Sequence, residues 1–178
     1  SLVANKNFFN FLDKNSKKII NLKSPFIEKA IFESCKIKKN IVEKDEKEKN
    51  LRKILNFGHT FAHAYEASLG YTKKLNHGEA VILGMKTALS FSLKNNLLKK
   101  DEYYLINNHI TNSKLPSNIK KFFKTQDLKK IMSFMLKDKK NYSDKISVVL
   151  LKKIGSPIIN REYDKKNLSL FLKKELNN

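Results

Sequence analysis

The chain has 178 residues, enough for one domain with a real core, and carries a net charge of +20 from 37 basic and 17 acidic residues. That charge invites a nucleic-acid reading, but only Arg52 and Arg161 are arginines, whereas base readout and bidentate phosphate gripping favour arginine; the 35 lysines are spread along the chain among many Asn and Ile, as AT-rich coding would leave them. No run of about eighteen apolar residues offers a membrane span, the start does not look like a cleavable signal, and the single Cys35 suits a reducing, cytoplasmic setting.

The chain opens on Ser1, not methionine, and reads as a fragment. An amphipathic helix is predicted from about Asn7 to near Asn21, its apolar side built on Phe8, Phe9, Phe11, Leu12, Ile19 and Ile20. Ser24-Pro25 reads as an N-cap followed by proline in the first turn. The next helix, Pro25 to about Asp45, has an apolar stripe of Ile27, Ala30, Ile31, Ser34, Ile37, Ile41 and Val42. Lys38 falls near the middle of that stripe, either snorkelling past its neighbours or aimed into a site. Glu43 to Lys49 alternates in charge and reads as a solvated face or loop.

Arg52 to Leu69 is predicted as one helix that stops at Gly70. At about 100° per residue, Arg52, Asn56, His59, His63 and Glu66 fall on one stripe. His77-Gly78-Glu79 opens a small-residue helix that ends near Asn95, with Gly84 allowing close approach to a neighbour. Asp101 to Ile110 is another helical pattern, with His109 read as an ordinary surface histidine. Thr125 or Asp127 caps a helix running to Leu136, and Lys145 to Leu151 is the one convincing strand. Gly155 and Pro157 mark a turn, and Asp164 to Leu176 closes the chain as a helix with Leu168, Leu170, Phe171 and Leu172 on its core side. The sum is a mostly α domain with little β.

The stripe carries the chemistry. His59 and His63 are spaced i, i+4, which sets two imidazoles on adjacent turns of one face. His77 lies across a loop long enough to fold back beside them. Such a set allows a zinc site of two histidines plus a further ligand. Glu66 and Glu79 are candidate ligands, or partners that fix imidazole tautomers. The HExxH glutamate is missing, so a zincin protease is not indicated. Arg52 and Asn56 supply donors for a carboxylate or hydroxyls. Lys38 and the Lys139-Lys140 pair would complete a cationic pocket for an oxygen-rich anion.

At these residues a resemblance becomes specific. NLRKILNFGHTFAHAYE followed by HGEAVILGM resembles the signature of the 3-dehydroquinate synthases of the shikimate pathway and aromatic amino acid biosynthesis. Upstream, KKNIVEKDEKEKNLR is similar to that family's KAEVVxxDExExGLR segment. Downstream, LKDKKNYSDKISVVLL resembles its DKK segment leading into a buried strand.

The resemblance implies a multi-helical dehydroquinate synthase-like C-terminal domain over residues 1–178, binding zinc, or another divalent metal such as Co²⁺, and a sugar phosphate. It implies His59 and His77 as metal ligands and His63 as a catalytic residue in the proton-transfer network. Lys38, Arg52, Asn56 and Lys140, or Lys139 in its place, would hold substrate, the first three also counted as catalytic. Glu66 and Glu79 are left structural. It also implies NAD on an N-terminal domain absent from this chain, a homodimer, and neither nucleic acid nor membrane as partner.

The implied reaction converts 3-deoxy-D-arabino-heptulosonate 7-phosphate to 3-dehydroquinate and phosphate, through transient oxidation, β-elimination, reduction, ring opening and aldol closure. Three departures stand out. Ala62 replaces a usual glycine and asks for more room at a helix contact. Asn50 replaces another, with left-handed backbone expected to be kept. The family's third zinc ligand, a glutamate in an AEVIKY-like segment, falls before Ser1, so the isolated chain is expected to be inactive. Alternatives are another sugar-phosphate cyclase, a metal-dependent polyol dehydrogenase or, in a different class, a basic nucleic-acid-binding module.

Overall fold

The first helix, α1 (Lys6–Ile20), starts where the Asn5 side chain accepts the Phe8 amide at 2.9 Å, satisfying one of the orphan donors of a helix N-terminus. This computed structural model describes residues 1–137 and 145–177. Phe8 and Phe9 are the buried side of α1. α2 (Phe26–Lys44) follows, with Pro25 at the cap position and no side-chain cap, so Ser24 does not play the predicted part. Its inner face is Ala30 and Ile41, while Ile31 is 56% exposed. The predicted stripe was too wide because α2 packs only on α1 and the segment after it.

The expected continuous helix from Arg52 to Leu69 is two pieces. Leu51–Asn56 is a 3₁₀ segment, and α3 (His59–Ser68) begins after a break at Phe57-Gly58. Gly58 has φ +84°, a left-handed conformation that glycine adopts without steric cost. The break lets the Gly58 carbonyl reach α4 (His77–Lys94): a Cβ on Gly84 would sit 2.2 Å from the Gly58 oxygen and 2.9 Å from the Ala62 amide. The room that Ala62 asks for is supplied by Gly84.

α5 (Lys100–Asn112) packs on α4, and α6 (Leu128–Lys137) on α3. His109 is not a plain surface residue. Its ring meets Phe9 edge-on at 5.2 Å, and Nδ1 lies 2.9 Å from Asp13 Oδ1, tying α5 to α1.

β1 (Lys145–Lys153) pairs antiparallel with β2 (Ser156–Asp164) around Gly155. The expected single strand thus has a partner, concealed because SPIINREYD is half-buried and interrupted by polar residues. β1 alternates inward through Ile146, Val148 and Leu150. Ser92, wholly buried on α4, donates to the Ala88 carbonyl and accepts the Leu151 amide at 3.1 Å, pinning the hairpin to that helix. α7 (Lys165–Asn177) closes the chain on Leu168, Phe171, Leu172 and Leu176; the predicted core residue Leu170 is 53% exposed.

The core centres on Phe57, Phe61, Tyr65, Leu83, Leu89 and Phe91, all at most 1% exposed. They are contributed by α3, α4 and the turn between Asn56 and His59, so the elements that carry the histidines are also the most firmly packed. Among the described residues, no helix is long and apolar enough to cross a membrane. The result is a multi-helical domain with one two-stranded sheet.

Candidate functional site

Three imidazoles converge where α3 meets the start of α4. Ring centres are 5.6 Å apart for His59 and His63, 6.0 Å for His59 and His77, and 6.4 Å for His63 and His77. His59 and His63 stand on successive turns of α3, and His77 opens α4 after the loop folds back. Two imidazoles sharing one tetrahedral zinc have ring centres roughly 5–6 Å apart, given Zn–N bonds of about 2.0–2.1 Å.

The nitrogens are already sorted. Glu66, one turn beyond His63, places Oε2 2.9 Å from His77 Nδ1, which leaves Nε2 of that ring for another partner. On His59, Nδ1 is buried without a well-formed hydrogen bond, while the ring lines the cleft, so Nε2 is the nitrogen left to meet a ligand. Burial pushes the His59 pKa below the ordinary histidine value; the nearby Phe57 carbonyl partly offsets this, and the neighbouring His63 and His77 add to it. A neutral ring is what a metal ligand requires. The donor set therefore fits a divalent cation in part. Among the described residues, no group of three His, Cys, Asp or Glu side chains could hold a metal ion on its own.

Beside the histidines runs a cleft in two adjoining lobes that share Glu48, Asn56 and His59. The first, about 440 Å³, is lined by Lys38, Arg52 and Ser34 among others. The second, about 490 Å³, adds Lys53, His63, Ser147 and Asn160. Lys38 is exposed yet lines the first lobe, which reconciles the two readings of its place on α2. Arg52 and Asn56 keep company with His59 although their helix is broken, because the 3₁₀ segment feeds directly into the Gly58 turn. Lys139 and Lys140 lie outside the described residues.

The charged run before the stripe is more than a solvated face. Asp45 accepts the backbone amides of Lys49 and Asn50 at 2.8 Å and of Arg52 at 2.9 Å, folding the turn that presents Arg52. The Arg52, Asn50 and Lys49 amides, in that order, hold its carboxyl below the usual carboxylate range. Glu48, not Asn50, is the left-handed residue of this turn, with φ +52° against −146° at Asn50. Its carboxylate accepts the Asn56 amide at 2.9 Å. Sequence reasoning missed Glu48 as a cleft residue; the only signal was its place within the charged run. Glu79 is structural: it accepts the Asn76 amide at 2.9 Å at the start of α4.

Comparison with known proteins agrees with this arrangement. The family described as 3-dehydroquinate synthase C-terminal matches residues 1–141. The chain is 61% identical over 176 residues to a 3-dehydroquinate synthase of Pelagibacter ubique, covering 99% of the chain and 48% of that protein. It is 38% identical over 177 residues to one of Dictyoglomus thermophilum, covering 97% and 47%. The chain thus spans about half the length of the curated relatives it matches. Its fold is shared with a 2-epi-5-epi-valiolone synthase of Streptomyces hygroscopicus solved with NAD⁺ and Zn²⁺, at TM-score 0.80 and 16% identity over 99% of this chain and 48% of that one. A 2-deoxy-scyllo-inosose synthase solved with carbaglucose-6-phosphate, NAD⁺ and Co²⁺ aligns at TM-score 0.65 and 22% identity, over 84% of this chain and 40% of that one.

Proposed function

We infer function from membership: the chain belongs to the 3-dehydroquinate synthase family, and we propose that it is the metal- and substrate-binding half of an enzyme that converts 3-deoxy-D-arabino-heptulosonate 7-phosphate to 3-dehydroquinate and phosphate. The observation that carries this reading is the convergence of His59, His63 and His77 beside a cleft lined by Lys38, Arg52 and Asn56. Its partner is an N-terminal NAD-binding domain, and the assembled enzyme is a cytoplasmic homodimer.

His59 and His77 would hold the divalent metal, zinc or cobalt, with a third ligand from outside the described residues. When bound, the metal supplies a Lewis acid to a substrate hydroxyl and NAD⁺ a hydride acceptor. The chain's own residues do the rest. Glu66 holds His77 at Nδ1 and so directs Nε2 to the cleft. The guanidinium of Arg52 offers a fork for the substrate carboxylate, with Lys38 adding charge. Asn56 meets a hydroxyl, and its bond to Glu48 fixes the amide. His63, beside His59, moves a proton at the reacting centre, and an imidazole suits that task near neutral pH. Lys140 adds a further cation for the substrate.

The test joins this chain to the N-terminal half of the Pelagibacter relative and assays turnover with NAD⁺ and the heptulosonate phosphate. The chimaera is expected to form 3-dehydroquinate and the 178-residue chain alone to be inactive. Turnover by the chain alone, or a folded chimaera with no turnover, contradicts the proposal.

A further inference from the structure

Lys53 stands one residue after Arg52 but turns the other way, into the second lobe of the cleft. Its Nζ donates to Asn160 Oδ1 at 3.0 Å. That acceptor is an amide oxygen, so the hydrogen bond positions the ammonium without cancelling its charge. Among the described residues Lys53 forms no ion pair: Glu48, the carboxylate shared by the two lobes, is taken up by Asn56.

Asn160 is itself held. It has φ +56°, a left-handed conformation that asparagine tolerates better than most residues, and its Nδ2 donates to Asn50 Oδ1 at 3.3 Å. The 3₁₀ segment and β2 are thereby joined across the lobe, with a half-buried lysine between them and His63 on the same wall. The chain has thus set one ammonium in a defined place among many lysines that are merely exposed.

We propose that Lys53, positioned by Asn160, forms an anion subsite in the second lobe that takes the phosphoryl group of the substrate. The division of labour follows from geometry. A planar fork such as Arg52 matches a carboxylate, whereas an ammonium serves as a point charge for a phosphate. Arg52 lines the first lobe and Lys53 the second, with Asn56 and His59 between them. A substrate with a carboxylate at one end and a phosphate at the other would lie across His59. This assignment rests on the proposed function for the identity of the ligand; the subsite itself can be measured without metal, NAD or turnover.

The probe is inorganic phosphate, titrated into the ¹⁵N-labelled, metal-free chain, with acetate as the carboxylate comparison. Phosphate is expected to shift the Asn160 side-chain amide. Lys53→Met should weaken that binding about tenfold, the loss of one charge-assisted hydrogen bond. Asn160→Asp keeps the lysine and the backbone tendency but supplies a competing carboxylate, and should weaken it similarly, so it carries the test if Lys53→Met fails to fold. Lys36→Met, on the exposed surface of α2, should change nothing.

Unchanged phosphate binding in Lys53→Met or Asn160→Asp, no shift at Asn160 in the parent chain, or acetate binding as tightly as phosphate overturns the subsite. Zinc retention by the His59→Ala chain would instead count against the family function while leaving these outcomes to stand or fall separately.

Discussion

Glu66 Oε2 lies 2.9 Å from His77 Nδ1, a bond that spans the loop between α3 and α4 and connects two residues eleven apart in sequence. The carboxylate is only 12% exposed, the imidazole 61%. The fixed member of the pair is therefore the glutamate, and the histidine is the one being aimed. Replacing Glu66 by Gln removes the charge and keeps the shape; zinc affinity measured by calorimetry is expected to fall about 10–100-fold. Unchanged affinity would mean that His77 is oriented by something else.

The crossing of α3 and α4 depends on two glycines. A Cβ on Gly84 would meet the Gly58 carbonyl oxygen at 2.2 Å, and backbone cannot swing away as a side chain does. Gly84→Ala is expected to cost about 2–4 kcal/mol in urea unfolding, within the range of core overpacking and strain. A loss under about 0.5 kcal/mol, the scale of an ordinary surface change, would show that the helices separate easily.

Glu175 on α7 is largely buried near Ser90, Lys86 and Lys94. Burial raises its pKa above the ordinary glutamate value, and the serine and lysines only partly offset this. The sign follows from that direction. Below the unfolded value near 4.5 both states are protonated and the group is neutral in its effect; as pH rises through the raised folded value, the folded state must carry a buried charge and stability is lost. Glu175→Gln is therefore expected to raise the melting temperature at pH 7.5 and leave it unchanged at pH 4. A lower melting temperature at pH 7.5 would mean that the lysines outweigh burial.

Much of this was legible in the sequence because the helices are amphipathic and punctuated. α1, α2, α4 and α7 lie within a residue or two of where periodicity and caps place them. The stripe from Arg52 to Glu66 was read correctly for its company and wrongly for its backbone. Helical projection alone cannot see a left-handed Gly58, yet the 3₁₀ segment still delivers Arg52 and Asn56 beside His59. Other features depended on tertiary context. β2 lacks clean alternation, His109 gains its partners only when α5 meets α1, and Asp45 and Glu48 were hidden in a run whose composition suggests solvent. Lys53 was hidden differently: in a chain with so many lysines, nothing in the sequence marks one that has been positioned.

Everything functional here depends on His59 and His77 being able to share a cation. The direct measurement is zinc content and affinity of the purified chain, by elemental analysis and calorimetry, for the parent, His59→Ala and His77→Ala. The parent is expected to take up zinc at near one-to-one stoichiometry, and each substitution to abolish it while the far-ultraviolet circular dichroism stays that of the folded chain. Zinc bound equally well by both substituted chains, or by none of the three, would contradict the metal centre and the function built on it.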